Sequence, residues 1–408
     1  MYLLKKQNKL KILNDPIYGF ITVPSNQIFE LIEHPYFQRL RRITQMGLSY
    51  LVYPGANHTR FHHALGCMHL MQRAVQVLRS KSVSISEEEE DALYKAILLH
   101  DLGHGPFSHA LEHLIVPSMS HEQISLLFME DLNLQFNGSL TTAIQIFKGE
   151  YHRPFMLELV SSQLDVDRLD YLKRDSFYTG VAEGNINSHR LISMLNVVDD
   201  KLVVEEKALY SVENFLTGRR LMYWQVYLHK TGIGAEHLLQ SVFQRITELL
   251  DNGQSVSIPV SLRYFLVDKN QTHEKLLSKF ALIDDTDVIQ LLKSNMQSDD
   301  FVLSELCKMI INRQLLKIKF TTKPVAASKL EKKIEKLRTS YELSHKEASY
   351  FVFNGVVSNS AYAKANPISI LNKRGKTVEL TDAAREQSFG ALTKVITKYY
   401  YCYPKIQD

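Results

Sequence analysis

Cysteine is scarce in this chain of 408 residues: only Cys67, Cys307 and Cys402 are present, far apart and without a CxxC pair. A disulfide framework or a thiolate zinc site requires more cysteines at closer spacing. No apolar run approaches the roughly 18 residues that a membrane-spanning helix needs, and the N-terminal residues lack the apolar segment of a secretory signal. We therefore expect a cytoplasmic protein without membrane association.

Excess charge of either sign is also lacking, because 48 lysines and arginines stand against 44 carboxylates and leave a net charge of +4. This value does not point to nucleic acid or membrane as a partner, although it is compatible with a local basic pocket. Apolar residues at 45% and charged residues at 23% are ordinary for a globular protein. Internal repeats and low-complexity segments are absent as well.

Helical patterns dominate the first 250 residues, after a short β-prone arm at residues 12–23. A Gly/Ser-containing break at Asn252–Ser257 marks a boundary, and the rest mixes helical patterns with β-prone runs. We predict a mainly α protein with a helical domain over residues 1–250, including the N-terminal β arm. Residues 251–408 are predicted to form a smaller C-terminal lobe of helical and α+β structure.

The segment YKAILLHDLGHGPFSH, residues 94–109, carries the strongest chemical signal. Ser86 and Glu89 form a capping-box pattern that opens a helix, and this helix ends at the adjacent His100 and Asp101. Neighbouring helical positions differ by about 100°, so both side chains can converge on one ion beside a helix end. Burying a carboxylate there is costly unless a cation compensates its charge. A metal site is therefore predicted here.

Asp167 falls where an apolar side chain is expected. Its spacing from Leu157, Val160, Leu164 and Tyr171 places it on one predicted helical stripe. A carboxylate inside this stripe needs either a metal or a buried arginine as its partner, and the adjacent Arg168 is expected to point about 100° away. His63, at the start of another predicted helix, is on its own better explained as a capping or core histidine.

Two histidines and two carboxylates would form a mixed nitrogen and oxygen site suited to a divalent first-row cation. Such an ion activates water and polarises a phosphoryl oxygen, and phosphoryl substrates also need positive side chains around them. Arg60 precedes His63 by three residues, and Arg168 follows Asp167 directly. On a later helix, Arg219, Tyr223 and Tyr227 are expected to share one face.

These residues resemble the HD-domain hydrolases, whose signature is H…HD…D. The motifs DPIYG, FQRLRRITQMG, PGANHTRFHHALG, HDLGHGPFSH, SHEQ, DVDRLDYLKRD and YLHKTG resemble one group of that family, the deoxynucleoside triphosphate triphosphohydrolases. Those enzymes split a dNTP into deoxynucleoside and triphosphate. The resemblance is dense over residues 12–235 and weaker beyond, where NPISILNKRGKTVEL resembles the family's terminal lobe. We expect no counterpart of the extra N-terminal interaction domain of the animal members, and the implied fold is an HD-type helical core.

The resemblance assigns roles by position. It implies one divalent metal (Fe, Mn, Mg, Zn or Ni) held by His63, His100, Asp101 and Asp167. It places His109 and His121 near the α-phosphate, one of them as general acid for the leaving 5′ oxygen, and His104 against phosphate. The implied substrate contacts are Arg60, Arg168 and Arg219 for the triphosphate, Gln45 and Asp175 for the 3′-OH with Tyr171 nearby, and Tyr227 under C2′.

Some positions depart from the family's pattern. His62 stands where an acidic residue is common, and Arg168 stands for a lysine. Tyr223 replaces a histidine and Met46 a leucine, which bears on the preferred nucleobase and the rate.

Many relatives are oligomers with an activator nucleotide at a subunit interface, and we expect a homo-oligomer, a dimer or tetramer. The positions that match this activator site are Lys11, Ile12, Glu33, Gln38 and Arg41, and Glu33 stands for the usual aspartate.

We therefore predict metal-dependent hydrolysis of dNTPs to deoxynucleoside and triphosphate. One alternative is an HD phosphohydrolase that acts on another nucleotide, such as a monophosphate or a cyclic nucleotide. A second alternative is a nucleotide-sensing or nucleic-acid-binding protein with a vestigial site. The basic residues near 314–337 permit contact with nucleic acid, but no basic platform with interleaved aromatic residues supports it.

Overall fold

A computed structural model describes residues 11–268, 273–363, 365–384 and 392–405 of the chain, without the side chains of residues 109, 273 and 274. Helices dominate these residues, so the predicted mainly α fold is confirmed. The helices are α1 (Asn26–Glu33), α2 (Pro35–Gln38), α3 (Arg60–Ser80), α4 (Glu87–Leu99), α5 (Ser108–Ile115), α6 (His121–Gln135), α7 (Thr141–Lys148), α8 (Pro154–Val160), α9 (Val166–Thr179), α10 (Ser188–Ser193), α11 (Leu209–Met222), α12 (Lys230–Asp251), α13 (Val260–Leu266), α14 (His273–Phe280), α15 (Asp285–Ser294), α16 (Phe301–Ile311), α17 (Ala327–Tyr341), α18 (His345–Ser349) and α19 (Leu380–Ala383).

Three small sheets accompany the helices. The strands are β1 (Lys11–Asp15), β2 (Gly19–Val23), β3 (Leu195–Val198), β4 (Lys201–Glu205), β5 (Lys317–Thr321), β6 (Phe353–Asn359), β7 (Ser369–Leu371), β8 (Thr377–Glu379) and β9 (Ile396–Tyr403). β1 and β2 form an antiparallel hairpin at the predicted N-terminal β arm, and β5, β9 and β6 form a sheet within the C-terminal region. The third sheet has the order β3-β4-β7-β8 and joins both regions of the chain, since β4 pairs in parallel with β7.

Helix α3 is central to the helical core. Its buried residues lie on all sides of the helix, as expected for a helix enclosed by neighbours rather than exposed on one face. Helices α4 and α9 pack against it, as do α10 and the strands β2 and β3. The approach of α9 is so close that a Cβ atom on Gly66 would lie 2.1 Å from Asp170 Oδ1 and 2.3 Å from Arg174 Nη2. The absence of a side chain at Gly66 is therefore a condition of this packing.

The helical stripe predicted through Asp167 is interrupted in the structure. Helix α8 ends at Val160, and α9 begins only at Val166. The break arises because Asp165 caps α9: its carboxylate accepts hydrogen bonds from the backbone N–H groups of Arg168 and Ser162, both at 2.7 Å. Asp167 consequently lies in the first turn of α9 rather than on the buried face of a longer helix.

The C-terminal region packs on the helical core and reaches its chemically important loops. Arg42 pairs with Asp284 at 2.5 Å, and Asp285 accepts hydrogen bonds from the backbone of Thr44 and Phe107. Buried apolar residues of both regions belong to one continuous core. The division at residues 250 and 251 stays a prediction, and it coincides with the end of α12.

The Gly66→Ala variant is expected to lower the free energy of unfolding by about 2 kcal/mol or more, because its methyl group would overlap the buried Asp170 and Arg174 side chains. Gly232→Ala is the matched control, since a Cβ atom there meets no atom within 4 Å and alanine favours a helix by up to about 1 kcal/mol. Urea denaturation of both variants measures the difference. Equal stability of the two would contradict the close packing of α3 on α9.

Candidate active site

A cavity of about 480 Å³ lies beside the N-terminal turns of α3 and α9. Most of the residues assigned by position to metal or substrate reach it. Those lining it are Gln45, Arg60, His63, Asp101, His104, His121, Asp167, Arg168, Tyr171, Asp175 and Tyr227. Residues distant in the sequence, from the loop before α3 to α12, thus surround one space. Its volume falls in the range of small-molecule sites.

His63 is oriented by a buried chain of charges. Its Nδ1 lies 2.8 Å from Asp170 Oδ2, and Arg174 binds both carboxylate oxygens of Asp170. Arg174 also donates to Asp15 on β1 at 2.7 Å. With Nδ1 donating to Asp170, the Nε2 lone pair faces the cavity, where Asp167 Oδ1 lies 3.0 Å away. This carboxylate-histidine arrangement is typical of metal ligands.

His100 is oriented in the same way by the end of α4. Its Nδ1 donates to the backbone oxygen of Ile97 at 2.6 Å, which leaves Nε2 directed at the carboxylates. Nε2 lies 3.3 Å from Asp101 Oδ1 and 3.7 Å from Asp167 Oδ1, and it is buried without a hydrogen bond among the described residues. A buried nitrogen that faces two carboxylates fits a cation placed between them.

Asp101 lies between the imidazoles and a positive group. Arg60 Nη1 donates to Asp101 Oδ2 at 2.7 Å, and His104 Nδ1 lies 3.2 Å from Oδ1. Burial raises the pKa of Asp101, but the charges of His100, His104 and Arg60 outweigh this effect and hold the pKa well below its usual range. Asp101 is therefore an anion, as a metal ligand must be.

A cysteine joins the cluster. Donor atoms of His63, Cys67, His100 and Asp167 lie within 4.8 Å of one another, so this group could hold a metal ion. The Cys67 sulfur is 3.5 Å from His63 Nδ1 and 3.6 Å from Nε2, and burial raises the pKa of the thiol. A neutral thiol is a poor ligand. Imidazole nitrogens and carboxylate oxygens are therefore the fitting donors, and this mixed set suits a divalent first-row cation.

A second group of titratable side chains borders the metal cluster. The ring centroids of His104 and His121 are 4.0 Å apart, and Glu112 Oε1 lies 2.8 Å from His121 Nδ1. Glu112 was not singled out from the sequence, although it lies one helical turn after His109 on α5, a spacing that places both on one face. The side chain of His109 is outside the described part of the structure.

Asp175 lies near the end of α9 and lines the same cavity. It accepts a hydrogen bond from the Tyr227 hydroxyl at 2.7 Å, and its other oxygen lies 2.7 Å from His58 Nε2. His58 is buried and stacks on Tyr178 with ring centroids 4.4 Å apart. No local sequence signal selects His58, because its partner Asp175 is 117 positions away. Two side chains thus hold this carboxylate in place.

The three arginines assigned to the triphosphate have different surroundings. Arg60 is buried against Asp101, and Arg168 lines the cavity with its Nε bound to the backbone oxygen of Ser162 at 2.6 Å. Arg168 pairs with Asp165 rather than with Asp167, at 3.3 Å between Nε and Oδ2, although Asp167 borders the same cavity. Arg219 lies one turn before Tyr223, outside the lining residues. Its Nε and Nη1 are buried without hydrogen bonds among the described residues.

The five positions matched to an activator site lie on the N-terminal part of the fold. Lys11 lies over the Phe29 ring, 2.8 Å from its centroid, and Gln38 Oε1 accepts a hydrogen bond from Arg41 at 2.8 Å. Ile12 is 49% exposed, and Glu33 and Arg41 are exposed as well. This surface does not contribute to the cavity, and its nucleotide-binding role stays a prediction.

Comparison with known proteins identifies the family. Residues 60–175 match the HD domain, and residues 186–257 match the HD associated region. A phosphohydrolase of known structure from Bacteroides thetaiotaomicron is 45% identical, with a TM-score of 0.94, over 97% of this chain and 100% of that chain. The MG461 homolog of Mycoplasma pneumoniae is 32% identical over 83% of this chain and 84% of its own length. The human deoxynucleoside triphosphate triphosphohydrolase SAMHD1 is 27% identical, over 83% of this chain and 59% of that protein.

The helical core and its cluster of histidines and aspartates are those of an HD-type phosphohydrolase. The chain belongs to the HD-domain superfamily of phosphohydrolases, and within it resembles the deoxynucleoside triphosphate triphosphohydrolases. The predicted family is thereby confirmed. Over the described residues, every helix is too short or too polar to cross a membrane.

The Asp170→Asn variant is expected to weaken metal binding roughly 10- to 100-fold, because an amide holds His63 less firmly in the orientation that presents Nε2. Titration of the metal-free protein with Mn²⁺ measures the affinity, and circular dichroism verifies that the variant is folded. Asp199→Asn is the control: this residue is exposed, and asparagine tolerates its left-handed backbone at φ 52°. Unchanged affinity in Asp170→Asn would contradict the orienting role.

Proposed function

We propose that the protein hydrolyses deoxynucleoside triphosphates to deoxynucleoside and triphosphate. The observation that carries this proposal is the distribution of chemistry around one cavity. Histidines, aspartates and arginines suited to a cation and phosphates border it together with the hydrogen-bonded Asp175 and Tyr227, which suit a sugar. The resemblance of the chain to the human and Dictyostelium discoideum deoxynucleoside triphosphate triphosphohydrolases supports this substrate.

In this proposal His63, His100, Asp101 and Asp167 would hold a divalent cation, which would supply the positive charge that polarises a phosphoryl oxygen and activates water. Arg60 and Arg168 bring fixed positive charge to the phosphates at the cavity wall. His104 contacts phosphate beside them. The buried surroundings strengthen each of these interactions, because few water molecules screen the charges.

Proton transfer is assigned to the histidines that border the metal cluster. His109 and His121 lie near the α-phosphate in the proposed complex, and one of them donates a proton to the leaving 5′ oxygen. Glu112 accepts from the backbone N–H and from Nδ1 of His121 and so orients the ring, whose Nε2 lies 3.2 Å from Glu122 Oε1. Glu112 is in this sense a positioning residue.

Sugar recognition is assigned to the region around Asp175. Its carboxylate, held by His58 and Tyr227, accepts a hydrogen bond from the 3′-OH, and Gln45 contributes a second polar contact. The buried Gln45 Oε1 makes no hydrogen bond among the described residues, which leaves it available for this contact. Tyr227 packs under C2′, where a ribose 2′-OH would find no room. Tyr171 lies beside Tyr227, with ring centroids 6.1 Å apart.

Incubation of the Mn²⁺-loaded protein with each of the four dNTPs, with and without GTP, is expected to release inorganic triphosphate, detected by ion-exchange chromatography. Asp167→Ala is expected to abolish release, because it removes a carboxylate from the cation site. Asp299→Ala, at an exposed position, is the control. Release of monophosphate or diphosphate instead would favour the alternative of an HD phosphohydrolase with another substrate. Equal rates with and without GTP would contradict the proposed activator site at Lys11, Ile12, Glu33, Gln38 and Arg41.

Arg219→Gln is expected to raise KM for dNTPs roughly tenfold or more, because it removes a guanidinium whose buried nitrogens are proposed to bind triphosphate. Arg220→Gln, at the next position of α11, controls for the loss of one positive charge. Steady-state rates of triphosphate release measure both variants. An Arg219→Gln KM equal to that of the Arg220→Gln protein would remove Arg219 from the binding site.

A further inference from the structure

A carboxylate on α12 reaches the cavity and has no part in the chemistry described so far. Glu236 lines the same cavity as the segment Met46–Ser49 and Leu228. Helix α12 packs against the turn at Gly47–Leu51 and against α5. Gln240, one turn further along, donates to the backbone oxygen of Ala110 at 3.1 Å. Because residues four apart share a helix face, this contact shows that the Glu236 face is directed at α5 and the cavity.

The Glu236 carboxyl group differs in its surroundings from the paired carboxylates that line the same cavity. Among the described residues, it makes neither a hydrogen bond nor an ion pair. Burial raises its pKa to about 7. A desolvated carboxyl without a partner is costly, and a ligand that donates hydrogen bonds to it would remove that cost. Glu236 is therefore a carboxyl group at the cavity wall that a ligand can reach.

We propose that Glu236 reads the nucleobase of the substrate and gives the enzyme a preference for guanine. The inference rests on the proposed function, in which the metal cluster takes the phosphates and Asp175 with Tyr227 takes the sugar. The base then falls to the remaining part of the lining, which includes Met46–Ser49, Tyr223, Leu228 and Glu236. Apolar contacts there would accept any base, and Glu236 is the charged residue in this part of the lining, so we assign the discrimination to its carboxylate.

Guanine fits a carboxylate better than the other bases do. Its N1–H and N2–H groups are adjacent donors, and the two oxygens of an ionised carboxylate accept from both. Adenine and cytosine present one donor beside an acceptor, and thymine presents one donor between two acceptors, so each leaves an oxygen of the carboxylate facing a lone pair. A glutamine offers one donor and one acceptor, which matches adenine and cytosine. Glu236→Gln should therefore change the preferred base.

The test measures binding rather than turnover. The wild-type and Glu236→Gln proteins are titrated at pH 8, with Mg²⁺, with α,β-imido analogues of the four dNTPs, and calorimetry gives each Kd. The wild type is expected to bind the guanine analogue most tightly. In Glu236→Gln, the ratio of guanine to adenine affinity is expected to fall roughly tenfold or more. Asp251→Asn removes the same charge from an exposed position on α12 and should leave the ratio unchanged.

Each outcome bears on the inference separately from the reaction. The role of Glu236 is overturned if the ratio of guanine to adenine affinity is the same in Glu236→Gln and the wild type. It is also overturned if the wild type shows no preference for guanine. Binding of none of the four analogues overturns both this inference and the proposed function. A ratio that depends on Glu236, in a protein that releases no triphosphate from dNTPs, supports the base-reading role and overturns only the proposed reaction. Thermal unfolding of each variant verifies that it is folded.

Discussion

The buried ion-pair chain that connects Asp15, Arg174, Asp170 and His63 is the interaction on which the site depends. It runs from the N-terminal hairpin through α9 to α3 and places four ionisable side chains in the interior. Removing one member of such a chain leaves an uncompensated buried charge, which typically costs about 3–5 kcal/mol. The same contacts that join the hairpin to the core therefore also determine which nitrogen of His63 faces the cavity.

A second set of buried contacts holds the loop that follows α4. Arg39 donates to the backbone oxygens of Leu102 and His104, at 2.6 and 3.0 Å. Asp285, from the C-terminal region, accepts from the backbone N–H groups of Thr44 and Phe107. These contacts supply hydrogen-bond partners for backbone groups that lie outside regular helices and strands. The C-terminal region thus supports the cavity wall, although the described residues that line the cavity extend only to Glu236.

Predictions from short stretches of the sequence were correct where the structural feature involves residues that are close together in the chain. Ser86 and Glu89, three positions apart, form the predicted capping box, and the Ser86 hydroxyl accepts a hydrogen bond from the Glu89 N–H at 3.1 Å. Asp167 shows the limit of such reasoning. A carboxylate among apolar residues correctly indicated a special environment, but the helical stripe assumed around it does not exist, because Asp165 prefers to cap a new helix. The periodicity could not reveal this competition.

By itself, the sequence determined the mainly helical character, the N-terminal β arm and the family, because apolar periodicity, turn residues and contiguous motifs act over short stretches of chain. Only the tertiary structure decided which side chains complete the site. Asp15 illustrates both: its Oδ1 accepts from the N–H of Ile17 and Tyr18 in a local turn, while its Oδ2 binds Arg174, 159 positions away. The pairing of His58 with Asp175 and the position of Glu236 at the cavity were likewise not evident from local sequence. Contacts between distant segments depend on how helices pack, and packing is set by the whole core rather than by neighbouring residues.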